Sequence, residues 1–170
     1  MRIRLAGPKD AELLASMGRE SFVAAFAHLY SPEDLGSFLE AHKTPEAFAA
    51  HLAKPGYRTA IAEVDGAPAG YCIVAMPSEF AQHSEAANPL ALSQLYTAPG
   101  RTGEGIGAAL MDWALGQARV LGADAVQLSV WSGNTRAQRF YARYGFAKVA
   151  DIDFWVGNQR DEEFLFELKL

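Results

Sequence analysis

The chain has 170 residues, 50% of them hydrophobic, which fits one compact domain with a sizeable core and leaves too little length for two. Fifteen basic against twenty acidic residues give a formal charge of -5, and no Lys or Arg run tracks a phosphodiester backbone, so no nucleic acid partner is expected. The single cysteine excludes an internal disulfide and a cysteine-based zinc site, and no apolar run approaches the roughly 20 residues of a membrane span, so no membrane partner is expected either.

Arg2 to Ala6 reads as a short strand that leads through Gly7-Pro8 into a helix opened by Asp10, whose Leu14, Met17, Phe22 and Ala25 share an apolar face. No apolar leader precedes Gly7-Pro8, and a cytoplasmic location is expected. Ser31-Pro32-Glu33-Asp34 offers a capping hydroxyl, a proline at N1 and an acid at N3, and Thr44-Pro45-Glu46 repeats the hydroxyl and proline. Two short helices follow from these signals. They would suit an acceptor-binding lip, and they are equally what a core needs for cover.

Thr59 to Val64 and Gly70 to Met76 are rich in strand formers and flank Asp65-Gly66, which predicts a hairpin. Cys72 sits among Tyr71, Ile73 and Val74, where a thiol is buried rather than nucleophilic. Pro77 to Pro89 reads as a loop placed to close over a substrate, and Leu90 to Thr97 as the next strand. Arg101 to Met111, RTGEGIGAALM, is a glycine turn opening a long helix. That helix carries Ile106, Leu110, Trp113, Ala114 and Leu121 on its apolar face and stops at Gly122. Val126, Leu128 and Val130 alternate as a strand, and Ala137, Phe140 and Tyr144 mark a helix face. Phe146 to Val156 and Phe164 to Leu168 close the chain as strands. The order is that of a mixed α/β domain spanning residues 1–170.

The turn with Gly103, Gly105 and Gly107 exposes backbone N–H groups at a helix N-terminus, beside the positive end of the helix dipole, and so suits phosphate. Gly103, Gly105 and Ala108 also satisfy the dinucleotide fingerprint G-x-G-x-x-A, but the acid expected at the end of the next strand is missing: Asp124 precedes that strand and Trp131 follows it. No Gly-Lys-Ser or Gly-Lys-Thr follows the glycines, which excludes a nucleotide P-loop.

Further on, Asn134 to Phe146 reads NTRAQRFYARYGF. With the strand, turn and helix before it, this segment resembles the GNAT superfamily of acyl-CoA-dependent N-acetyltransferases. Those proteins place Q/R-x-x-G-x-G/A between the fourth strand and third helix, and later an Asn, an Ala three residues on, an aromatic-Tyr pair and a Gly-Phe. Here Gly105, Gly107, Asn134, Ala137, Phe140-Tyr141 and Gly145-Phe146 stand in that order. The resemblance implies an α/β GNAT-like fold, with a mixed central sheet of six to seven strands flanked by helices.

It further implies acetyl-CoA as acyl donor, with no metal, and a small-molecule or peptidic primary amine as acceptor. The donor would lie along Leu95, Tyr96 and Thr97, whose backbone N–H groups polarise the thioester carbonyl, and on the turn Arg101, Thr102, Gly103, Glu104, Gly105, Ile106 and Gly107. Thr102 stands where the family has Gln or Arg, so the cradle is expected to rely on backbone amides, with Arg101 supplying the charge. Asn134 is expected on the pantetheine arm, as the cap of its helix, or as both.

Tyr141 aligns with the family's general acid for the departing thiolate. The family's fourth-strand carboxylate aligns with Ala91, which leaves the base open among Glu79, His83 and Glu85 in the loop, His28, Tyr30 and Glu33 in the helical lip, and a water relay. Ser21 to Leu39 and the run LYTAPGRTGEGIG resemble the bacterial polyamine (spermidine/spermine) acetyltransferase branch, which adds polyamines as candidate acceptors. A noncatalytic acyl-CoA-binding sensor is the alternative, motivated by Ala91. A homodimer is also open, since Phe164 to Leu168 would lie at a sheet edge or pair across two copies.

Overall fold

The computed structural model describes residues 1–170. Seven strands form one sheet in the order β1-β2-β3-β4-β5-β7-β6. They are β1 (Arg2–Leu5), β2 (Tyr57–Val64), β3 (Ala67–Ala75), β4 (Pro89–Thr97), β5 (Ala125–Trp131), β6 (Ala147–Val156) and β7 (Gln159–Lys169). All neighbours are antiparallel except β4 and β5. A parallel pair needs a crossover, and the helix α4 (Ile106–Val120) supplies it.

Local signals account for most of the elements. The helix α1 (Ala11–Phe26) follows Asp10, whose carboxylate accepts the Gly7 N–H at 2.8 Å and the Arg4 guanidinium at 2.8 Å. Those two partners, Arg4 first, hold the Asp10 carboxyl below its usual range. The helix α2 (Pro32–His42) is capped by the Ser31 hydroxyl, which accepts the Asp34 N–H at 3.1 Å. The helix α3 (Pro45–Ala53) is capped in the same way by Thr44. Asp65 and Gly66 both turn with positive φ, at 54° and 79°, as the β2–β3 hairpin requires.

Strand alternation then sorts side chains to the two faces. Ala60, Ala62, Cys72, Val74, Leu90 and Leu92 meet Ile106, Leu110 and Ala114 of α4 on one face. On the other, Ile61, Tyr71 and Ile73 meet Leu14 of α1 and Phe48 of α3. Each fully buried Leu or Ile in these layers contributes about 1.5–3 kcal/mol. Burial pushes the Cys72 thiol up to about 12, so it stays protonated and unreactive within the core.

Two irregularities in β4 make room for a site. A bulge displaces Ser93 from the β3 register, since Ile73 pairs with Gln94 and Val74 with Leu92. The bulge reverses the parity of the strand. Leu90 and Leu92 face α4 before it, and Leu95 does so after it, which turns Gln94 and Tyr96 toward α1 and α3. In addition, β4 and β5 pair only from Pro89↔Ala125 to Ala91↔Gln127 and then part, leaving Leu92 to Thr97 without a partner on that side.

Three expectations need correction. The last strand begins at Gln159, well before Phe164, and lies between β5 and β6, where Phe164 to Glu167 pair on both sides, so that segment is not a sheet edge. The Pro77–Pro89 loop is pinned: Ser78 donates to Gln127 at 2.7 Å, Gln127 donates to Ser84 at 3.0 Å, and the Asp124 carboxylate accepts the Ala87 and Asn88 N–H groups. Ala91 is fully buried at the last paired rung, before the strands part, so it does not face the site.

Candidate active site

The gap between β4 and β5 opens into a cavity of about 1180 Å³ that passes from one face of the sheet to the other. On the α4 face it is walled by the glycine turn, the start of α4 and the helix α5 (Thr135–Arg143). Gly103 and Gly105 adopt φ of 97° and 79°, which residues with a Cβ rarely hold. Arg101 N–H bonds Ala98 and Ala109 N–H bonds Gly105, while the N–H groups of residues 102–108 have no backbone acceptor. That row of free donors at a helix N-terminus fits a pyrophosphate.

Thr102, Gly103, Gly105, Ile106 and Gly107 line the cavity. The side chains of Arg101 and Glu104 do not, because they pair with each other at 2.8 Å. Positive charge reaches this end from α5, where Arg136, Arg139 and Arg143 border the cavity. Their spacing places them on one helix face, a pattern legible in the sequence that the glycine motif overshadowed. Asn134 caps α5, its Oδ1 accepting the Ala137 N–H at 3.1 Å, and its side chain also borders the cavity.

At the centre lie Leu95, Tyr96 and Thr97. Ala98 N–H bonds Ala69 of the β3 segment at 2.8 Å, so by alternation Tyr96 and Gln94 direct their N–H groups to β3. Leu95 and Thr97 direct theirs into the gap, where no β5 partner meets them.

Tyr141 reaches the gap from the α4 face, packed on the core there. Burial, with a smaller effect of the nearby Glu163 charge, raises its phenol to about 12. Glu163 was missed in the sequence and borders the cavity from β7. Its neighbours Phe164 and Phe166 pack toward α4, so Glu163 points to the opposite face. Burial raises its carboxyl; the Ser129 hydroxyl opposes this and the Asp161 charge adds to it. Of the bases considered from sequence, Glu79 and Tyr30 border the cavity, whereas His83, Glu85, His28 and Glu33 do not.

On that opposite face the chamber is aromatic, with Phe22, Phe26, Tyr30, Phe38, Tyr96 and Phe154 in its walls. Phe22 stacks on Phe38 at 4.5 Å, and Tyr30 donates to the buried Asp161.

Residues 23–146 match the model of the acetyltransferase (GNAT) family. An uncharacterized N-acetyltransferase of Mycobacterium tuberculosis is 32% identical over 161 residues, covering 95% of this chain and 98% of the relative. One from Lactobacillus delbrueckii subsp. lactis is 29% identical over 171 residues, covering 100% and 98%. Among solved structures, PaiA N-acetyltransferase from Thermoplasma acidophilum in complex with coenzyme A superposes with a TM-score of 0.80 at 22% identity, over 100% of both chains. Arabidopsis thaliana NAA60 in complex with a bisubstrate analogue gives 0.73 at 18%, over 99% and 97%. The chain belongs to the acetyltransferase (GNAT) family. The free amides of the glycine turn fit the pyrophosphate of a coenzyme A thioester such as acetyl-CoA.

Proposed function

We propose that this protein transfers the acetyl group of acetyl-CoA to a primary amine by direct attack in a ternary complex, with Glu163 as the base and Tyr141 at the leaving group. The observation that carries the reading is their opposed placement. Tyr141 stands on the face that holds the glycine turn, and Glu163 on the face of the aromatic chamber. An amine entering that chamber meets the carboxylate first, and the gap between β4 and β5 admits it to the thioester.

The neutral amine nitrogen forms its bond to the carbonyl carbon while the carbonyl oxygen takes hydrogen bonds from the free N–H groups of Leu95 and Thr97. The C–S bond then breaks, the surplus amine proton passes to Glu163, and the sulfur receives the Tyr141 hydrogen bond. A phenol at about 12 lies well above a thiol near ~8.5, so Tyr141 stabilises the thiolate mainly as a donor rather than by full proton transfer. Asn134 borders the path of the pantetheine arm, and the α5 arginines border the phosphate end.

The alternative reading, a noncatalytic acyl-CoA-binding sensor, is motivated by Ala91; Ala91 lies in the core and the Glu163 carboxylate borders the cavity from another strand, which supports the enzyme. Small amines, polyamines and peptide N-termini are all candidate acceptors. The resemblance of Ser21 to Leu39 to polyamine acetyltransferases supports the second. Thiol release from acetyl-CoA, measured across spermidine, amino acids, aminoglycosides and peptides, tests the reading. Release with at least one amine is expected, and silence across the panel would overturn it.

A further inference from the structure

The acceptor chamber contains a buried amine that the transfer step does not use; burial lowers its pKa to about 8, so it is still mostly an ammonium at neutral pH. Lys43, between α2 and α3, is 4% exposed and borders the cavity. Its Nζ donates to Gln94 Oε1 at 2.8 Å and lies 3.5 Å from the Tyr71 hydroxyl, both neutral groups. The rings of Phe22, Phe48 and Tyr96 surround it at 5.9, 5.7 and 5.0 Å. An ammonium has three donors, and no carboxylate pairs with this one among the ion pairs of the molecule. An unpaired charge is among the costliest groups to bury, and a Met or Leu would fill the same space without that cost.

The surroundings repeat the pattern. The titratable groups whose charge bears on this corner are His42 from α2, His51 from α3 and Lys54, and all are bases. From β3 and β4 come only the phenols of Tyr71 and Tyr96. The Nδ1 atom of His51 is buried with no hydrogen-bond partner. His51 borders the same cavity, with Phe48 lying between it and Lys43. A buried ammonium lacking its counter-ion thus borders the chamber, with the unpartnered His51 nitrogen buried behind Phe48, and Glu163 borders that chamber elsewhere. Tyr96 links the two regions: its ring lies beneath Lys43 and its hydroxyl within electrostatic reach of Glu163.

We infer that Lys43 forms a carboxylate-binding subsite, and that the acceptor is a small primary amine that also carries a carboxylate. This rests on the acetyl-transfer reading above and narrows it. The amine faces Glu163, and the carboxylate completes the ion pair that Lys43 lacks. A polyamine, by contrast, would bring further positive charge against an uncompensated ammonium.

The test compares acceptors that differ only in the carboxylate: lysine against cadaverine and phenylalanine against phenethylamine, with spermidine alongside. With the wild-type enzyme, kcat/KM is expected to favour the carboxylated member of each pair by about ten- to hundredfold, the range of a hydrogen bond to a charged group. The difference should reside in KM. Lys43→Met and Lys43→Gln should both collapse the ratio toward one while the acetyl-CoA Kd is kept. Equal kcat/KM within the pairs, or a ratio that survives both substitutions, would overturn the subsite. Calorimetric binding of the same pairs in the presence of coenzyme A gives a readout independent of turnover. Carboxylate-dependent binding lost in Lys43→Met, without thiol release, would uphold the subsite and refute acetyl transfer. Turnover of amines with no carboxylate preference would do the reverse.

Discussion

Tyr30 donates its phenolic proton to Asp161, joining the segment between α1 and α2 to β7 across the mouth of the acceptor chamber. Asp161 is 7% exposed and has one other side-chain partner, the Gln159 amide at 2.9 Å. Tyr30→Phe would leave a buried carboxylate short of a hydrogen bond, at a cost of about 1–3 kcal/mol. Urea unfolding should register that loss. Because the lip on the α1–α2 side would loosen, acceptor KM should rise while the acetyl-CoA Kd is maintained. An unchanged acceptor KM would show that this contact serves stability alone.

The ion pair between Arg101 and Glu104 redirects the charge argument at the glycine turn. A guanidinium already satisfied by a neighbouring carboxylate has little to offer a phosphate. Arg101→Ala should therefore leave the acetyl-CoA Kd within about twofold and change stability by no more than ~1 kcal/mol, as for other exposed pairs. Replacing Arg136 and Arg139 together by Ala should weaken binding by about tenfold or more, because charge-assisted contacts to phosphate are the strong ones. Titration calorimetry with acetyl-CoA at fixed salt separates the two. A large loss in Arg101→Ala alone would restore the compensation first read from the sequence.

These residues also show what a sequence can reveal. Ser31, Thr44 and the Asp65-Gly66 turn act through neighbours three residues away or fewer, and each formed the cap or hairpin its pattern specified. Gly103 and Gly105 were legible for the same reason. Glu163 was not: within Asp161-Glu162-Glu163 it resembles a solvated charge run, and only the insertion of β7 between β5 and β6 brings it to the cavity. Lys43 precedes a helix cap and reads as surface, yet the rings around it come from α1, α3 and β4. Ala91 misled because the parting of β4 from β5 is a long-range event, and the Ser93 bulge changes which β4 side chains face each side.

Gly70 provides a test of how rigidly the gap is held. A Cβ there would lie 2.6 Å from the Tyr96 carbonyl oxygen, 2.9 Å from Ile106 Cγ2 and 3.2 Å from Leu110 Cδ1. The first contact is backbone and cannot swing aside, so β4 would have to move where its N–H groups face the gap. Gly70→Ala should cost about 1–3 kcal/mol, as other overpacked sites do. It should also reduce kcat more than it weakens acetyl-CoA binding, since Leu95 and Thr97 would shift relative to the carbonyl. Thermal unfolding and steady-state kinetics on the same preparation would check both, and normal kcat in a destabilised variant would argue against the oxyanion role of that strand.

The strongest demand falls on Tyr141 and Glu163, because their environments set the pH dependence. Burial raises Glu163 above the ordinary carboxyl range, and the working base is the ionised form. Activity should therefore fall as pH drops through that raised value, placing the acid limb of kcat/KM above the ~4.3 of a free glutamate. Glu163→Gln should abolish that limb and lower kcat by about a hundredfold, within the usual range for losing a base. Tyr141, held up to about 12, stays protonated across any practical assay range and should add no alkaline limb below pH ~10. Tyr141→Phe should lower kcat by about ten- to hundredfold, with the acetyl-CoA Kd little changed, because the phenol acts on charge that develops only as the C–S bond breaks. A Glu163→Gln enzyme that kept the wild-type acid limb would move the base to Glu79 or a water relay. A Tyr141→Phe enzyme with wild-type kcat would remove the phenol from the chemistry altogether.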